Sequence, residues 1–278
     1  MEQITIPVNR GEQTLTFKVT PVKALTMIFQ PPIVSGDKPA PVYLIITGGG
    51  WHEGSAESML GFSAQSCLYA RSKGWAVASI TYRFNVDGAD MDQIVSDCMD
   101  ACRYLARFSK ELGVDATRIL TSGHSAGGHL ALMLALAPHD LFKKESPYEE
   151  DFRVIATAPL SPPTVLYENG VPVTLKFSMK ELFPKMSEED FKRTSPVTYV
   201  NAESVPCLSV AGDMDNLVYP VSSAILMDRY HECGAPGELV YSHKGGHCFE
   251  CMVPGDKSEP DFAAVQTILE RFIDRFTQ

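Results

Sequence analysis

No run of apolar residues in this chain approaches the roughly 20 needed to cross a bilayer. The first residues, Met1-Glu2-Gln3-Ile4-Thr5, hold neither a basic stretch nor a long apolar one, so no secretory signal is read there. Positive charge is scarce: 24 Lys and Arg face 34 Asp and Glu, a formal net charge of -10. That deficit argues against nucleic acid as a partner and against insertion into anionic membranes. Cysteine is too sparse, and odd in number, at 7 in 278 residues, to form a disulfide framework. Reduced thiols and a cytoplasmic location are expected instead. Internal repeats and low-complexity tracts are missing too. What remains is an ordinary globular composition, 45% hydrophobic and 21% charged, sufficient for a sizeable core in one domain spanning 1–278.

Strand and helix patterns alternate along most of the chain. Residues 3–8 and 13–19 alternate apolar and polar and are joined by Asn9-Arg10-Gly11-Glu12, which predicts an N-terminal antiparallel hairpin. Ala24 to Gln30 reads as a further strand, and the Pro- and Gly-rich stretch from Pro31 to Pro39 as a loop. The nearly continuous apolar run from Pro41 to Thr47 suits a strand buried on both faces of a parallel sheet. Helices are predicted over Met59 to Lys73, closed by Gly74, and over Asp92 to Lys110. Trp75 to Thr81, Val154 to Leu160, Val205 to Ala211 and Glu238 to Ser242 read as strands; Pro220 to Cys233 and Asp261 to Thr277 as helices. The alternation lapses over 163–195, where Met179 to Phe183 and Ser187 to Phe191 look like short helices, a candidate cap over the site. The expected fold class is α/β, with a mostly parallel sheet and helices on both faces.

Between strand-like Arg118 to Ser122 and helix-like Gly128 to Ala137 stands Gly123-His124-Ser125-Ala126-Gly127. A Gly-x-Ser-x-Gly carries meaning only between a strand and a helix, and here it has both. A strand that turns sharply into a helix strains its middle residue and lifts that side chain towards substrate. Only residues without bulk fit at the flanks. Ser125 is therefore a candidate nucleophile. The Ala126 amide, at a helix N-terminus, is a candidate donor to developing negative charge. A serine N-cap in a glycine-softened turn fits the same letters.

A serine hydroxyl needs a base, and the base needs an orienting acid. In a parallel α/β sheet such groups gather at the C-terminal strand ends. Gly212-Asp213-Met214-Asp215 follows one predicted strand, and His243-Lys244-Gly245-Gly246-His247 follows the next. The order Ser, Asp, His is one of the recognised triad orders. Asp213 competes with Asp215 for the acid role, and His243 with His247 for the base. Gly48-Gly49-Gly50-Trp51 ends the buried strand and leaves backbone amides bare. No Gly-Lys-Ser/Thr follows, which rules out a phosphate loop. Cys248-Phe249-Glu250-Cys251 lacks a second pair for zinc and is misplaced for a redox motif. No metal and no organic cofactor is expected.

These stretches carry a resemblance. Thr47-Gly48-Gly49-Gly50-Trp51, Gly123-His124-Ser125-Ala126-Gly127-Gly128 and Gly212-Asp213-Met214-Asp215-Asn216-Leu217-Val218 are similar to motifs of α/β-hydrolase esterases and lipases. In that group, which includes hormone-sensitive-lipase-like and BD-FAE-like esterases, the motifs read His-Gly-Gly-Gly-Trp, Gly-x-Ser-Ala-Gly-Gly and Gly-x-x-Asp-x-x-Val. The likeness runs from about residue 40 to the C-terminus. It implies an α/β-hydrolase fold and a serine carboxylester hydrolase that works through an acyl-enzyme on short-chain acyl esters, acetylated carbohydrates among them. By the same resemblance Ser125 is the nucleophile, His247 the general base and Asp215 the orienting acid, and the amides of Gly49, Gly50 and Ala126 form the oxyanion hole. Trp51, Tyr82 and Leu160 to Pro162 are expected to line the substrate pocket. Thr47 stands where the family carries a histidine that braces the glycine loop, so loop geometry is the point at issue. An arylformamidase or small serine peptidase would use the same triad, and a catalytically inactive binding scaffold is the alternative outside enzymes. The expected partner is a small-molecule ester; a homo-oligomer stays open.

Overall fold

The computed structural model describes residues 11–34, 36–168, 170 and 174–277. Its strands are β1 (Gln13–Val19), β2 (Ala24–Gln30), β3 (Ala40–Ile46), β4 (Ala76–Ile80), β5 (Val114–His124), β6 (Val154–Leu160), β7 (Cys207–Gly212) and β8 (Gly237–Ser242). Among the described residues they form an 8-stranded sheet in the order β1-β2-β4-β3-β5-β6-β7-β8. β2 pairs antiparallel with both β1 and β4, and all pairings from β4 to β8 are parallel. The mostly parallel sheet with an N-terminal antiparallel pair is thus as expected. That pair, however, joins β1 to β2 across Thr20–Lys23, where the Thr20 amide donates to the Lys23 carbonyl at 3.0 Å. Residues 3–8, assigned from the sequence to a hairpin with 13–19, lie outside the described residues.

The helices are α1 (Ala56–Phe62), α2 (Ala64–Ser72), α3 (Met91–Arg107), α4 (Ser109–Leu112), α5 (Ala126–Leu136), α6 (Met179–Leu182), α7 (Glu188–Arg193), α8 (Val221–Cys233) and α9 (Phe262–Asp274). Every residue of β3 is buried, so the strand has apolar side chains on both faces. Side chains of a strand alternate in direction. Val42, Leu44 and Ile46 accordingly pack in the cluster with α3 and α5, and Tyr43 and Ile45 in the cluster with α1, α2 and α9. The sheet thus carries helices on both faces.

The single helix expected over Met59 to Lys73 is two, α1 and α2, meeting at Ser63. The first starts earlier because Ser55 caps it, with Ser58 returning the bond in a capping box. Gly61 and Ser63, poor helix formers, then flank the break. On α7 the expected capping box is formed between Ser187 and Asp190. Among the described residues of 163–195 the sheet adds no strand, but this stretch grips the loop after β7. Leu175 bridges to Val218, and the Lys176 amide donates to the Leu217 carbonyl at 3.0 Å. No helix among the described residues is long and apolar enough to cross a membrane.

Candidate active site

Parallel pairing sends the C-terminal ends of β3, β5, β6, β7 and β8 to one edge of the sheet. The glycine loop follows β3, Ser125 follows β5, Ser161 follows β6, Asp215 follows β7 and His247 follows β8. Ser125 stands at φ 57 and ψ -122, between the last residue of β5 and the first of α5. Its amide donates to the Leu160 carbonyl at 2.8 Å. The flanking glycines are required by contact. A Cβ on Gly123 would run into the Gly127 backbone, one on Gly127 into the Ile46 carbonyl, and one on Gly48 would lie 2.6 Å from the His124 carbonyl oxygen. So the turn is wedged against the end of β3, and the serine side chain is left to face outward.

His247 Nδ1 lies 2.6 Å from Asp215 Oδ2; the carboxylate side chain is fully buried and the imidazole only 12% exposed. The other carboxylate oxygen, Oδ1, accepts the amides of Leu217 at 2.9 Å and Val218 at 3.1 Å. With Nδ1–H given to the carboxylate, Nε2 is left able to accept a proton. The His247 carbonyl accepts from Ser161 Oγ at 3.1 Å and from His124 Nε2 at 2.8 Å. Burial, and then the neighbouring His247, push the His124 imidazole down to about 4, so at neutral pH it is an uncharged donor. Among the described residues Ser125 Oγ makes no hydrogen bond to His247. Such bonds commonly tighten only once substrate is bound.

The rival groups pair with each other. His243 Nδ1 meets Asp213 Oδ2 at 2.7 Å, the Lys244 amide donates to Asp213 Oδ1 at 2.7 Å, and the His243 side chain is 69% exposed. Two Asp–His pairs therefore lie side by side, an inner one from Asp215 and His247 and an outer one from Asp213 and His243.

The glycine loop holds Gly49 at φ 97, Gly50 at φ 61 and Trp51 at φ 57. The Gly49 carbonyl accepts the amides of His52 at 3.0 Å and Glu53 at 3.1 Å, which turns the Gly50 amide of the same peptide unit away from the turn. The Ala126 amide opens α5 and has no intrahelical acceptor. Thr47 is buried, and its carbonyl accepts the Tyr82 hydroxyl at 3.1 Å. The bracing that a histidine at 47 would supply comes from elsewhere. Trp51 Nε1 donates to His129 Nδ1 at 3.2 Å, His129 Nε2 donates to the Thr194 carbonyl at 2.7 Å, and the Asn85 amide donates to the Trp51 carbonyl at 2.9 Å. Burial pushes the His129 imidazole down to about 4, which keeps Nδ1 free to accept. The sequence points to His129 only as a residue behind the site or on the surface, and the structure buries it behind the glycine loop. The available signal was its place one helical turn after Ser125 on the same face of α5.

Trp51 and Tyr82 do not line a pocket; both are fully buried. Trp51 packs edge-on against His129 and Phe183, and Tyr82 against Phe84. Their bulk and paired polar tips hold the loop from behind. An open cavity of about 440 Å³ adjoins the site instead, lined by the glycine loop, the start of α1 and His124. Cys248 is exposed, 3.9 Å from His124 Nε2, and all 7 cysteines are free. No cluster of His, Cys, Asp and Glu suited to a metal occurs among the described residues.

The BD-FAE family model matches residues 28–230. Among curated proteins, the probable carboxylic ester hydrolase LipM of Mycobacterium tuberculosis is 28% identical over 193 residues, 66% of this chain and 43% of that protein. Esterase LipC of the same organism is 28% identical over 243 residues, 84% of this chain and 59% of that one. The chain spans about half the length of these curated relatives. Among solved structures, the apo form of Thermogutta terrifontis esterase 2 matches with a TM-score of 0.79 at 24% identity, covering 95% of this chain and 94% of that one. Its propionate-bound form matches at 0.78 and 23%, again over 95% and 94%. These likenesses show the α/β-hydrolase fold.

Proposed function

Because the chain belongs to the BD-FAE family of α/β-hydrolases, we propose that it is a serine carboxylester hydrolase using Ser125, His247 and Asp215. The observation that carries this reading is the strained serine at the end of β5, with the buried Asp215–His247 pair on the ends of β7 and β8. Ser125 Oγ attacks the ester carbonyl carbon while His247 Nε2 takes its proton. Asp215 keeps the imidazole in the tautomer that can do so and stabilises the imidazolium. The carbonyl electrons move to oxygen, to which the amides of Gly49, Gly50 and Ala126 donate; one such donor is typically worth about 3 kcal/mol of barrier. Collapse of the intermediate expels the alcohol, which leaves with the proton from His247. Water, losing its proton to His247, then opens the acyl-enzyme and releases the acid.

Short acyl chains fit this reading, since no long apolar tunnel meets Ser125 among the described residues; acetylated carbohydrates belong to the same substrate range. Residues 163–195 act as a small cap within a single domain, supported by their bonds to the loop that carries Asp215. The free thiols support a reducing, cytoplasmic setting. A fluorophosphonate probe, followed by mass spectrometry of the modified residue, tests the nucleophile. Labelling at Ser125, and its loss in Ser125→Ala with hydrolysis of p-nitrophenyl acetate, is the expected result. The missing Ser125–His247 hydrogen bond favours a second reading, an inactive binding scaffold. Folded protein that neither labels nor hydrolyses the ester would select it.

A further inference from the structure

The cavity of about 440 Å³ lies against the glycine loop and His124, the residue before Ser125. Gly48 forms part of its wall, and a Cβ there would stand 3.6 Å from Ser125 Cβ, so this wall is packed directly against the serine. His124 forms another part, and its ring lies 4.6 Å from that of His247. In the reaction proposed above, His247 hands its proton to the leaving alcohol. The group that extends past His247 into this space is therefore the alcohol portion of the ester.

The chemistry of the walls is one-sided. Glu53 lines the cavity beside the oxyanion loop, and no ion pair or hydrogen bond engages its carboxylate among the described residues. The lining residues include no Lys or Arg, and neutral His124 adds no opposing charge. The hydroxyls of Ser55 and Ser58 are committed to capping α1. Met59 and Phe62 add polarisable apolar surface. An unpaired carboxylate beside an aromatic ring and a thioether favours an organic cation, and repels an anion of the same shape.

We propose that this cavity is an alcohol-side subsite for an ammonium group, with Glu53 as its specificity-determining residue. The preferred substrates are then esters of amino alcohols. The inference rests on the serine esterase reading. Three acetates of similar reach test it: acetylcholine, its uncharged isostere 3,3-dimethylbutyl acetate, and anionic 4-acetoxybutanoate. At low ionic strength kcat/KM should fall in that order, with the cation ahead of its neutral isostere by about tenfold for a charge pair at the edge of water. The advantage should shrink in molar salt. Glu53→Gln should bring the cation-to-neutral ratio close to one. Glu203→Gln, an exposed acid ahead of β7 at the far edge of the sheet, should leave that ratio where it was. A wild-type ratio near one, or a ratio that Glu53→Gln does not move, overturns the subsite and leaves the esterase intact. Failure to hydrolyse all three acetates, with no fluorophosphonate label on Ser125, overturns both.

Discussion

Ser125 keeps a left-handed backbone that costs a residue with a side chain on the order of 1–3 kcal/mol, and the surrounding glycine contacts force it there. A position under such strain beside a buried Asp–His pair is where a nucleophile is expected. The two Asp–His pairs make the acid assignment testable. Asp215→Asn removes the carboxylate that fixes the His247 tautomer and should lower kcat by about 10⁴. Asp213→Asn loosens only the exposed His243 and should change kcat by no more than a few fold; the reverse ranking would move the acid role outward. His129 acts through Trp51. His129→Phe leaves Trp51 Nε1 without an acceptor and frees the loop that carries Gly49 and Gly50. It should lower kcat by roughly 10- to 100-fold with KM little changed, the signature of a weakened transition-state contact. His129→Asn, which can still accept, should restore part of that loss, and a drop confined to KM would assign His129 to substrate binding.

At the scale of elements, α3 is tied to the sheet by charge as well as by apolar packing. Buried Asp97 meets Lys18 of β1 at 2.8 Å and Arg83 Nε at 2.8 Å; buried Asp100 meets Lys18 at 2.7 Å and Arg103 at 2.8 Å. Arg83 opens the segment whose Asn85 amide holds Trp51, so the network reaches the glycine loop. Asp97→Ala would leave Lys18 and Arg83 buried with too few partners and should destabilise by about 3–5 kcal/mol. A urea midpoint shift worth under about 1 kcal/mol would show that the network contributes little. Element types were legible from local rules. β3 shows as an apolar run, α7 as a capping box from Ser187, and the end of α8 as Gly234 in the left-handed region. The break at Ser63 was not legible, because the apolar spacing of Met59, Cys67 and Ala70 continues across it while the backbone turns.

Across the whole molecule, two imidazoles, His129 buried and His124 half-buried, make stability depend on pH. Burial lowers both His124 and His129 from the ordinary 6.5 to about 4. Between those values the unfolded chain binds protons that the folded one does not. Stability is therefore complete above pH 6.5 and declines as the pH falls towards 4. The fully buried His129 contributes at most roughly 3 kcal/mol of that change. Thermal midpoints recorded from pH 7.5 down to 4.5 should fall, and less steeply in His129→Asn; an equal slope would exclude His129 as the source.

The same scale separates what sequence and tertiary structure each decided. By itself the sequence determined the kind and order of the elements, the serine elbow, the bare glycine loop and the order of Ser, Asp and His past three of the strands. All of these are set by residues close together in the chain, through periodicity, capping and steric exclusion. Tertiary structure decided which Asp meets which His, that Trp51 and Tyr82 stand behind the loop instead of in a pocket, and that His129 braces what Thr47 does not. It also brought Glu53 and His124 to one cavity wall. Those outcomes depend on strand order and on loop paths joining residues far apart in the chain, as with Trp51 and His129. Local pattern places a residue on a face of its own element; only the packed sheet decides what that face meets.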